Sequence, residues 1–260
     1  MSNTATTTIL SEQRSAYAEQ GFLISRGLYS AEEISALASE AETLLGRNEL
    51  IHESNLRCRW QTDQTTGECH FDCFDPVTDI GPVSKYFALH PSLLTLLREI
   101  YEGEPKLLKD KLIFKRPGAG GYGLHQDYIG WESFPTSFLT VIVAIDPANE
   151  ENGATEVFPG AHRRGYLSPC DGDYHELNID RLENQQGILL DLAPGDVAIF
   201  GGYMPHRSAA NSSDRWRRQL YLSYNDEREG GDRRTAHYRE FQLWLEKKYA
   251  EYGKTGVYFQ

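Results

Sequence analysis

The sequence predicts a mainly β domain of the sandwich or barrel type, with α-helices before and after it. Three observations predict this class. Short β-rich runs separated by Pro-Gly turns fill residues 107–225, helical patterns dominate 11–103 and 235–252, and no linker or internal repeat divides the chain. With 260 residues and 40% apolar content, the chain can bury a sizeable core. We therefore expect residues 1–260 to form one domain.

The first third of the chain is mixed, with mostly helical patterns. A short helix is predicted from Ser11 to about Gly21, followed by a short strand over 22–25. Ser30 and Glu33 have the spacing of a capping box, which predicts a helix start. The apolar residues of that helix have helical spacing: Ile34, Leu37, Ala41 and Leu44. A further short helix is predicted over 93–102, before Gly103.

The middle of the chain has strand patterns. Residues 107–115 contain an alternating run that stops at a Pro-Gly turn, and 138–145 is a β-branched run typical of a buried strand. Further short strands are predicted at 155–158, 187–192, 196–200 and 218–224. Residues 235–252 return to helix, with Phe241, Leu243, Leu245 and Tyr249 as apolar positions.

Composition excludes several classes of protein. A net charge of −12 argues against general nucleic-acid binding, so no nucleic-acid partner is expected. A bilayer span needs about 20 apolar residues, and neither such a run nor a secretory signal is recognised, so no membrane partner is expected. Four cysteines are too few for a disulfide scaffold of this length. We expect a cytoplasmic protein with free thiols.

The candidate site begins with two residues of different chemistry. His125 and Asp127 are two positions apart, so on a strand they share a face and could bind the same metal ion. His206, just beyond the strand predicted at 196–200, could supply a third ligand. Two histidines and one carboxylate form the facial triad of non-haem Fe(II) oxygenases. The His-x-Asp pattern alone is weak, and a surface-loop histidine stays an equal alternative on that pattern.

The residues after His206 predict an anion site. Arg217 lies on or near the next strand, and a guanidinium can bind a carboxylate through two hydrogen bonds. Ser208 can add a hydroxyl donor. This pair suits a dicarboxylate co-substrate.

Four motifs, taken in order, resemble the phytanoyl-CoA dioxygenase (PhyH) family of Fe(II)/2-oxoglutarate oxygenases. They are Lys115-Arg-Pro-Gly; His125-Gln-Asp127; Ala144-Ile-Asp146 with Glu151-Asn-Gly153 and Pro159-Gly-Ala-His162; and His206-x-Ser208-x-x-Asn211 continuing to Arg217. The resemblance implies a double-stranded β-helix (jelly roll, cupin-like) flanked by helices. It also implies that His125, Asp127 and His206 bind iron. Arg217 and Ser208, with Lys115 as a weaker candidate, would bind 2-oxoglutarate.

The same resemblance implies hydroxylation of a small polar molecule with O2 and 2-oxoglutarate as co-substrates. Asp127 stands where halogenating relatives carry a small residue. The strand Lys-Asp-Lys-Leu-Ile-Phe-Lys at 109–115 and the ending Gly-Lys-Thr-Gly-Val-Tyr-Phe are most similar to the bacterial 2-aminoethylphosphonate branch, which hydroxylates the carbon next to phosphorus. Two alternatives stay open: a hydroxylase of another small metabolite (an amino acid, an ectoine-like solute or a secondary metabolite), and a non-catalytic binding protein.

Expectations for the surroundings of the site are less specific. Pocket walls are expected from Tyr122, Gln126, Tyr128, Trp131, Tyr203 and Asn211, and a lid from residues 57–72. Cys58, Cys69, Cys73 and His70 would just suffice for structural zinc, but free thiols are the preferred interpretation. The basic run of Lys106, Lys109, Lys111, Lys115 and Arg116 is expected to lie mostly on a solvated strand edge.

Overall fold

Two antiparallel sheets pack face to face, and helices cover the outer side of the larger one. The computed structural model describes residues 14–47, 49–50, 58–63, 66–183 and 185–253. The predicted start of the first helix at Ser11 and the chain ending after residue 253 lie outside these ranges. Residues 14–20 are helical and end before Gly21, which has φ +81°.

The labelled strands are β1 (Phe22–Ser25), β2 (Cys58–Thr62), β3 (Cys69–Phe74), β4 (Pro105–Lys115), β5 (Tyr122–His125), β6 (Leu139–Ala144), β7 (Thr155–Val157), β8 (Ile188–Leu189), β9 (Val197–Gly201), β10 (His206–Ser208) and β11 (Arg217–Asp226). The labelled α-helices are α1 (Ala31–Leu45), α2 (Pro82–Ala88), α3 (Pro91–Tyr101) and α4 (Arg234–Tyr252). Short 3-10 turns occur at Ala161–Arg164, Ile179–Leu182 and Glu227–Glu229. Among the described residues, none of the helices combines the length and apolar character that crossing a bilayer requires.

The larger sheet has the strand order β1-β9-β6-β11-β4-β3-β2, and the smaller has β5-β10-β7-β8. In β6 all six residues are buried, because one side of this central strand packs against helices and the other against the smaller sheet. Val141 and Val143 belong to the cluster with the helices, whereas Ile142 and Ala144 lie between the sheets.

Helix α1 follows its sequence signals closely. The Ser30 hydroxyl accepts a hydrogen bond from the Glu33 amide (3.2 Å), and the Glu33 carboxylate accepts one from the Ser30 amide (2.8 Å). Its four predicted apolar residues are all buried. In α4 the prediction is wrong at one position: Leu243 is 59% exposed, because Phe241 and Leu245, four residues apart, already define the buried face.

The predicted limits of the β-core need correction. Strands β1, β2 and β3 all come from the predicted helical flank at 11–103, and they extend the larger sheet at both ends. The predicted lid at 57–72 is also wrong for the described residues, which form the antiparallel pair β2 and β3. Strand β1 matches the short strand predicted over 22–25. Strands β2 and β3 were missed because their mixed cysteine, aromatic and polar residues show no clean alternation, and the sheet supplies their partners.

Strand β4 is central rather than at an edge, between β11 and β3. Leu112 and Phe114 pack against the helices. The alternate residues Lys109, Lys111 and Ile113 therefore face the space between the sheets. The predicted solvated edge is thus wrong for Lys109, Lys111 and Lys115.

Candidate functional site

Three side chains from two paired strands converge between the sheets. His125 ends β5, His206 begins β10, and the two are directly opposite each other in the antiparallel pair. Asp127 lies two residues beyond β5. One ligand atom from each residue lies within 4.8 Å of the other two, and this is the one such metal-ligand group among the described residues. The structure therefore brings together the three residues singled out from the sequence.

Hydrogen bonds fix the orientation of all three groups. His125 Nδ1 lies 2.8 Å from the Gly123 carbonyl and His206 Nδ1 lies 3.0 Å from the Met204 carbonyl, so each Nδ1 donates and each Nε2 keeps its lone pair. The Asp127 Oδ2 atom accepts from the Thr140 hydroxyl at 2.8 Å. Its Oδ1 atom lies 4.0 and 3.9 Å from the two Nε2 atoms, too far for hydrogen bonds. Three unprotonated donor atoms thus face one point.

The protonation states suit metal binding. Burial, and then the neighbouring His206, lowers the pKa of His125 to about 3. Burial also lowers the pKa of His206. Burial by itself would raise the pKa of Asp127, but His206 and the nearby Lys109 outweigh it, and that pKa is lowered.

Arg217 is a buried cation without a counter-ion. It pairs with Lys115 across β11 and β4, and only 1% of it is exposed. Its Nη1 donates to Gln219 Oε1, whereas its Nε has no hydrogen-bond partner. Within the described ranges no carboxylate forms an ion pair with it. Because a buried guanidinium is unfavourable without an anion, this environment fits the carboxylate of a bound molecule.

Lys115 and Ser208 lie between Arg217 and the group formed by His125, Asp127 and His206. Lys115 pairs with Arg217 across the strands, and Ser208 follows His206 on β10. Lys115 Nζ donates to the Ser208 hydroxyl (3.1 Å), to the Gly153 carbonyl (3.2 Å) and to the Ala209 carbonyl. Burial, and then Arg217, lowers the pKa of Lys115 to about 6. Since its Nζ is already surrounded by three acceptor oxygens, Lys115 positions Ser208 and the following loop and is a poor candidate for a direct 2-oxoglutarate contact.

A cavity of about 460 Å³ opens onto the cluster. Of the predicted wall residues, Tyr122, Gln126 and Trp131 line it, whereas Tyr128, Tyr203 and Asn211 are not among its lining residues. Tyr203 instead stacks on Tyr128.

Two of the predicted amide side chains have structural contacts instead. The Gln126 amide donates to the Gly165 and Tyr203 carbonyls and accepts from the Leu167 amide. The Asn211 amide donates to the Lys115 and Arg215 carbonyls. Both side chains therefore hold loops together. The expectation that Tyr203 and Asn211 contact substrate loses its support, whereas Gln126 lines the cavity with its amide hydrogen bonds already formed.

Several lining residues were missed from the sequence. They are Lys109, Lys111, Asp75, Phe134, His237, Phe241 and Trp244. Residues 109, 111, 113 and 115 alternate along one strand and therefore share one face. Once β4 is placed in the centre of the sheet, this alternation predicts that the lysines face the interior. No local sequence pattern predicts that Asp75 or the α4 residues line the cavity, because long-range packing brings them there.

The cysteines form no metal site in the described chain. Cys58 and Cys69 pair with Phe74 and Thr62, at opposite ends of the β2–β3 pair. None of the four cysteines forms a disulfide.

Comparisons with known proteins agree with this geometry. The model of the phytanoyl-CoA dioxygenase (PhyH) family matches residues 17–219. A 2-aminoethylphosphonate dioxygenase from the uncultured bacterium HF130_AEPn_1 is 29% identical over 228 residues, covering 85% of this chain and 84% of the relative. A methylphosphonate hydroxylase from Gimesia maris is 32% identical over 212 residues, covering 78% of each chain.

Solved structures share the fold. The non-heme alpha ketoglutarate dependent epimerase SnoN from nogalamycin biosynthesis superposes with a TM-score of 0.72 at 22% identity, covering 85% of this chain and 84% of that one. EctD from S. alaskensis with bound Fe gives 0.72 at 20% identity, covering 86% and 79%. The predicted fold class, a cupin-like jelly roll with flanking helices, is confirmed.

Proposed function

The chain belongs to the phytanoyl-CoA dioxygenase (PhyH) family, and from this premise we propose that it hydroxylates a small organophosphonate, with 2-aminoethylphosphonate as the preferred substrate. It is a dioxygenase that uses Fe(II) and 2-oxoglutarate. One observation carries the proposal: His125, Asp127 and His206 converge on one point of a cavity of about 460 Å³.

The donor set fits ferrous iron. Two imidazole nitrogens and one carboxylate oxygen, with no thiolate among them, are the ligands typical of non-haem Fe(II) oxygenases. When bound, iron would supply the O2 chemistry that converts 2-oxoglutarate to succinate and CO2 and hydroxylates the substrate. The protein holds both imidazoles through their Nδ1 atoms and the carboxylate through Thr140, so the ligands need little rearrangement.

Arg217 and Ser208 are the residues proposed to hold the distal carboxylate of 2-oxoglutarate. The guanidinium is buried and uncompensated, and the planar fork of an arginine matches a carboxylate. Ser208 lies two residues after the iron ligand His206, on the same face of β10. One end of the co-substrate would thus be fixed while its other end reaches the metal.

The cavity favours a compact, anionic substrate. Its volume is at the small end of the usual range for ligand pockets, roughly 300–1,000 Å³. Aromatic side chains line much of the cavity, and Lys109 and Lys111 lie among them. Similarity to relatives that are named for acting on phosphonates supports the same substrate class.

A substrate panel tests the proposal. The purified protein with Fe(II) and 2-oxoglutarate is incubated with 2-aminoethylphosphonate, methylphosphonate, ectoine and free amino acids, and succinate and hydroxylated product are measured. We expect the largest rates with 2-aminoethylphosphonate. Asp127→Ala should abolish turnover, whereas the control Asp214→Ala, at an exposed position, should retain it. Unchanged turnover in Asp127→Ala, or product only from ectoine or amino acids, would contradict the proposal.

A further inference from the structure

Lys109 and Lys111 stand two residues apart on the face of β4 that lines the cavity. Both are half-buried. Neither ammonium has an ion pair or a hydrogen bond within the described part of the chain. Their contacts are with aromatic rings: Lys109 Nζ lies 5.1 and 5.2 Å from the ring centres of Phe134 and Phe138, and Lys111 Nζ lies 5.2 Å from that of Tyr221.

Other cations nearby have acceptors. Arg59 pairs with the buried Asp72, and Arg207 pairs with Glu156 at 2.5 Å. Lys106, on the same strand, reaches Glu227 at 2.9 Å. Lys115 donates to three oxygens. Lys109 and Lys111 therefore differ from these neighbours in presenting ammonium groups to the cavity without an acceptor.

Two like charges side by side in a partly dry wall are unfavourable by themselves. The wall also contains Asp75, whose carboxylate accepts from the Tyr238 hydroxyl at 3.2 Å and lies beyond ion-pair distance of both lysines. Burial raises the pKa of Asp75, so this carboxylate holds its charge less readily than an exposed one. A bound anion would relieve the repulsion that Asp75 offsets only in part.

We propose that Lys109 and Lys111 bind the phosphonate group of the substrate, an inference that rests on the proposed phosphonate hydroxylation. A phosphonate is a tetrahedral anion with three oxygens, and two flexible ammonium groups suit it as point charges. The co-substrate carboxylate takes the planar guanidinium of Arg217. The two anions are thereby assigned to different residues by their shape.

This assignment also orients the substrate. Lys109 and Lys111 line the same cavity as His125, Asp127 and His206, so a phosphonate on the lysines shares that cavity with the proposed iron ligands. The carbon bonded to phosphorus is then the substrate carbon closest to the anion site. The remainder of the molecule extends toward Trp131, Phe241 and Trp244, where an ammonium group can lie over aromatic faces.

Binding without turnover tests the assignment. The holoenzyme with Fe(II) and 2-oxoglutarate is titrated anaerobically with 2-aminoethylphosphonate and with methylphosphonate by calorimetry. Lys109→Met and Lys111→Met should each weaken phosphonate binding at least about 10-fold, because each removes one charged contact from a partly desolvated anion. Lys106→Met is the matched control, since it removes the same charge from the same strand outside the cavity, and its affinity should equal that of the wild type. Lys111→Arg should retain most of the affinity.

The results separate this inference from the proposed function. If the wild type binds neither phosphonate, the proposed substrate class is wrong and the assignment falls with it. If the wild type binds them and both methionine variants bind equally well, the lysine assignment alone is wrong. Methionine preserves the length and apolar stem of lysine, and 2-oxoglutarate affinity serves as a second readout. If the methionine variants lost as much affinity for 2-oxoglutarate as for phosphonate, the assignment would also be wrong. Removal of a specific phosphonate site should lower the affinity for phosphonate alone.

Discussion

At the scale of single residues, the site depends on which polar atoms are occupied and which are left for a ligand. Both Nδ1 atoms of His125 and His206 are used by backbone carbonyls, and one Asp127 oxygen is used by Thr140. The opposite pattern holds for Arg217, whose Nε has no partner. Fixed ligand atoms and a buried cation without an anion together describe a preorganised site.

Thr140 provides a test of this preorganisation. Thr140→Val keeps the shape of the side chain but removes the hydroxyl that donates to Asp127 at 2.8 Å. Loss of such a supporting hydrogen bond typically lowers metal affinity about 10–100-fold. We expect this weakening in Fe(II) titrations, and Thr140→Ser should restore the affinity. Equal affinity in wild type and Thr140→Val would show that the hydroxyl does not orient the carboxylate.

Lys115 should make stability depend on pH. Its pKa is about 6 in the folded protein, lowered first by burial and then by Arg217, against 10.5 for an ordinary lysine. Between these two values the unfolded chain binds more protons than the native one, so Lys115 makes the free energy of unfolding rise with pH. Urea denaturation at pH 6, 7.5 and 9, without 2-oxoglutarate, should show a shallower rise for Lys115→Met than for wild type.

Lys106→Met is the control for this prediction, because Lys106 is on the same strand but half-buried rather than buried, and forms an ion pair with Glu227. Its unfolding profile should have a slope close to that of the wild type. Equal slopes in Lys115→Met and wild type would mean that Lys115 does not titrate in this window.

At the scale of elements, one central strand supplies much of the site. On β4, residues 109, 111, 113 and 115 face the smaller sheet, while Leu112 and Phe114 anchor the strand against the helices. The turn at Gly153 closes over the end of this strand, because its carbonyl accepts from Lys115. The side chains that pack against the helices and the side chains that belong to the site thus lie on opposite faces of the same strand.

Gly153 should resist substitution more than a positive-φ glycine that has open space around it. It has φ +66°, and a Cβ there would lie 2.2 Å from the Ala209 carbonyl oxygen and 2.8 Å from Lys115 Nζ. Gly231 has φ +67° and open space around it. Gly231→Ala should cost about 1–2 kcal/mol from the left-handed backbone alone. Gly153→Ala should cost more in chemical denaturation, and similar values for both would contradict the close approach.

At the scale of the whole molecule, the site lies between two sheets that pack face to face, and a separate core lies between the larger sheet and the helices. Helices α1 to α3 pack on the outer side of the larger sheet, and α4 covers a second, aromatic cluster beside the cavity. The cavity lies on the side of the larger sheet that faces away from helices α1 to α3. A ligand bound there should stabilise the whole molecule, since it binds the folded state alone.

Co-substrate binding should raise the thermal midpoint. At 2-oxoglutarate concentrations near 100 times the dissociation constant, linkage gives about 2.7 kcal/mol, or a rise of roughly 5–10 °C for a chain of this size. In Arg217→Met this rise should disappear, whereas the midpoint without ligand should not fall, because methionine replaces an uncompensated buried charge.

Arg218→Met is the matched control, because Arg218 is the next residue and is paired with Asp146 at 2.8 Å. Its midpoint should fall, yet 2-oxoglutarate should still raise it. A full 2-oxoglutarate response in Arg217→Met would remove Arg217 from the co-substrate site.

Sequence patterns alone determined the elements whose signals are local. The capping box at Ser30 and Glu33 and the β-branched run at 138–145 depend on neighbours within a few residues, and both predict the structure well. The candidate metal-ligand residues were also indicated by the sequence, His125 and Asp127 by their His-x-Asp spacing and His206 by the family motifs, although Asp127 lies just beyond β5 and not on a strand.

Only the tertiary structure decided which strands are central and therefore which side chains are inside. Because β4 lies between β11 and β3, Lys109 and Lys111 of the basic run line the cavity. The pairing of β2 with β3 placed most of the predicted lid in the sheet. The same packing assigned Gln126 and Asn211 to loop contacts. Strand order and long-range hydrogen bonds depend on residues far apart in the chain, so no local spacing encodes them.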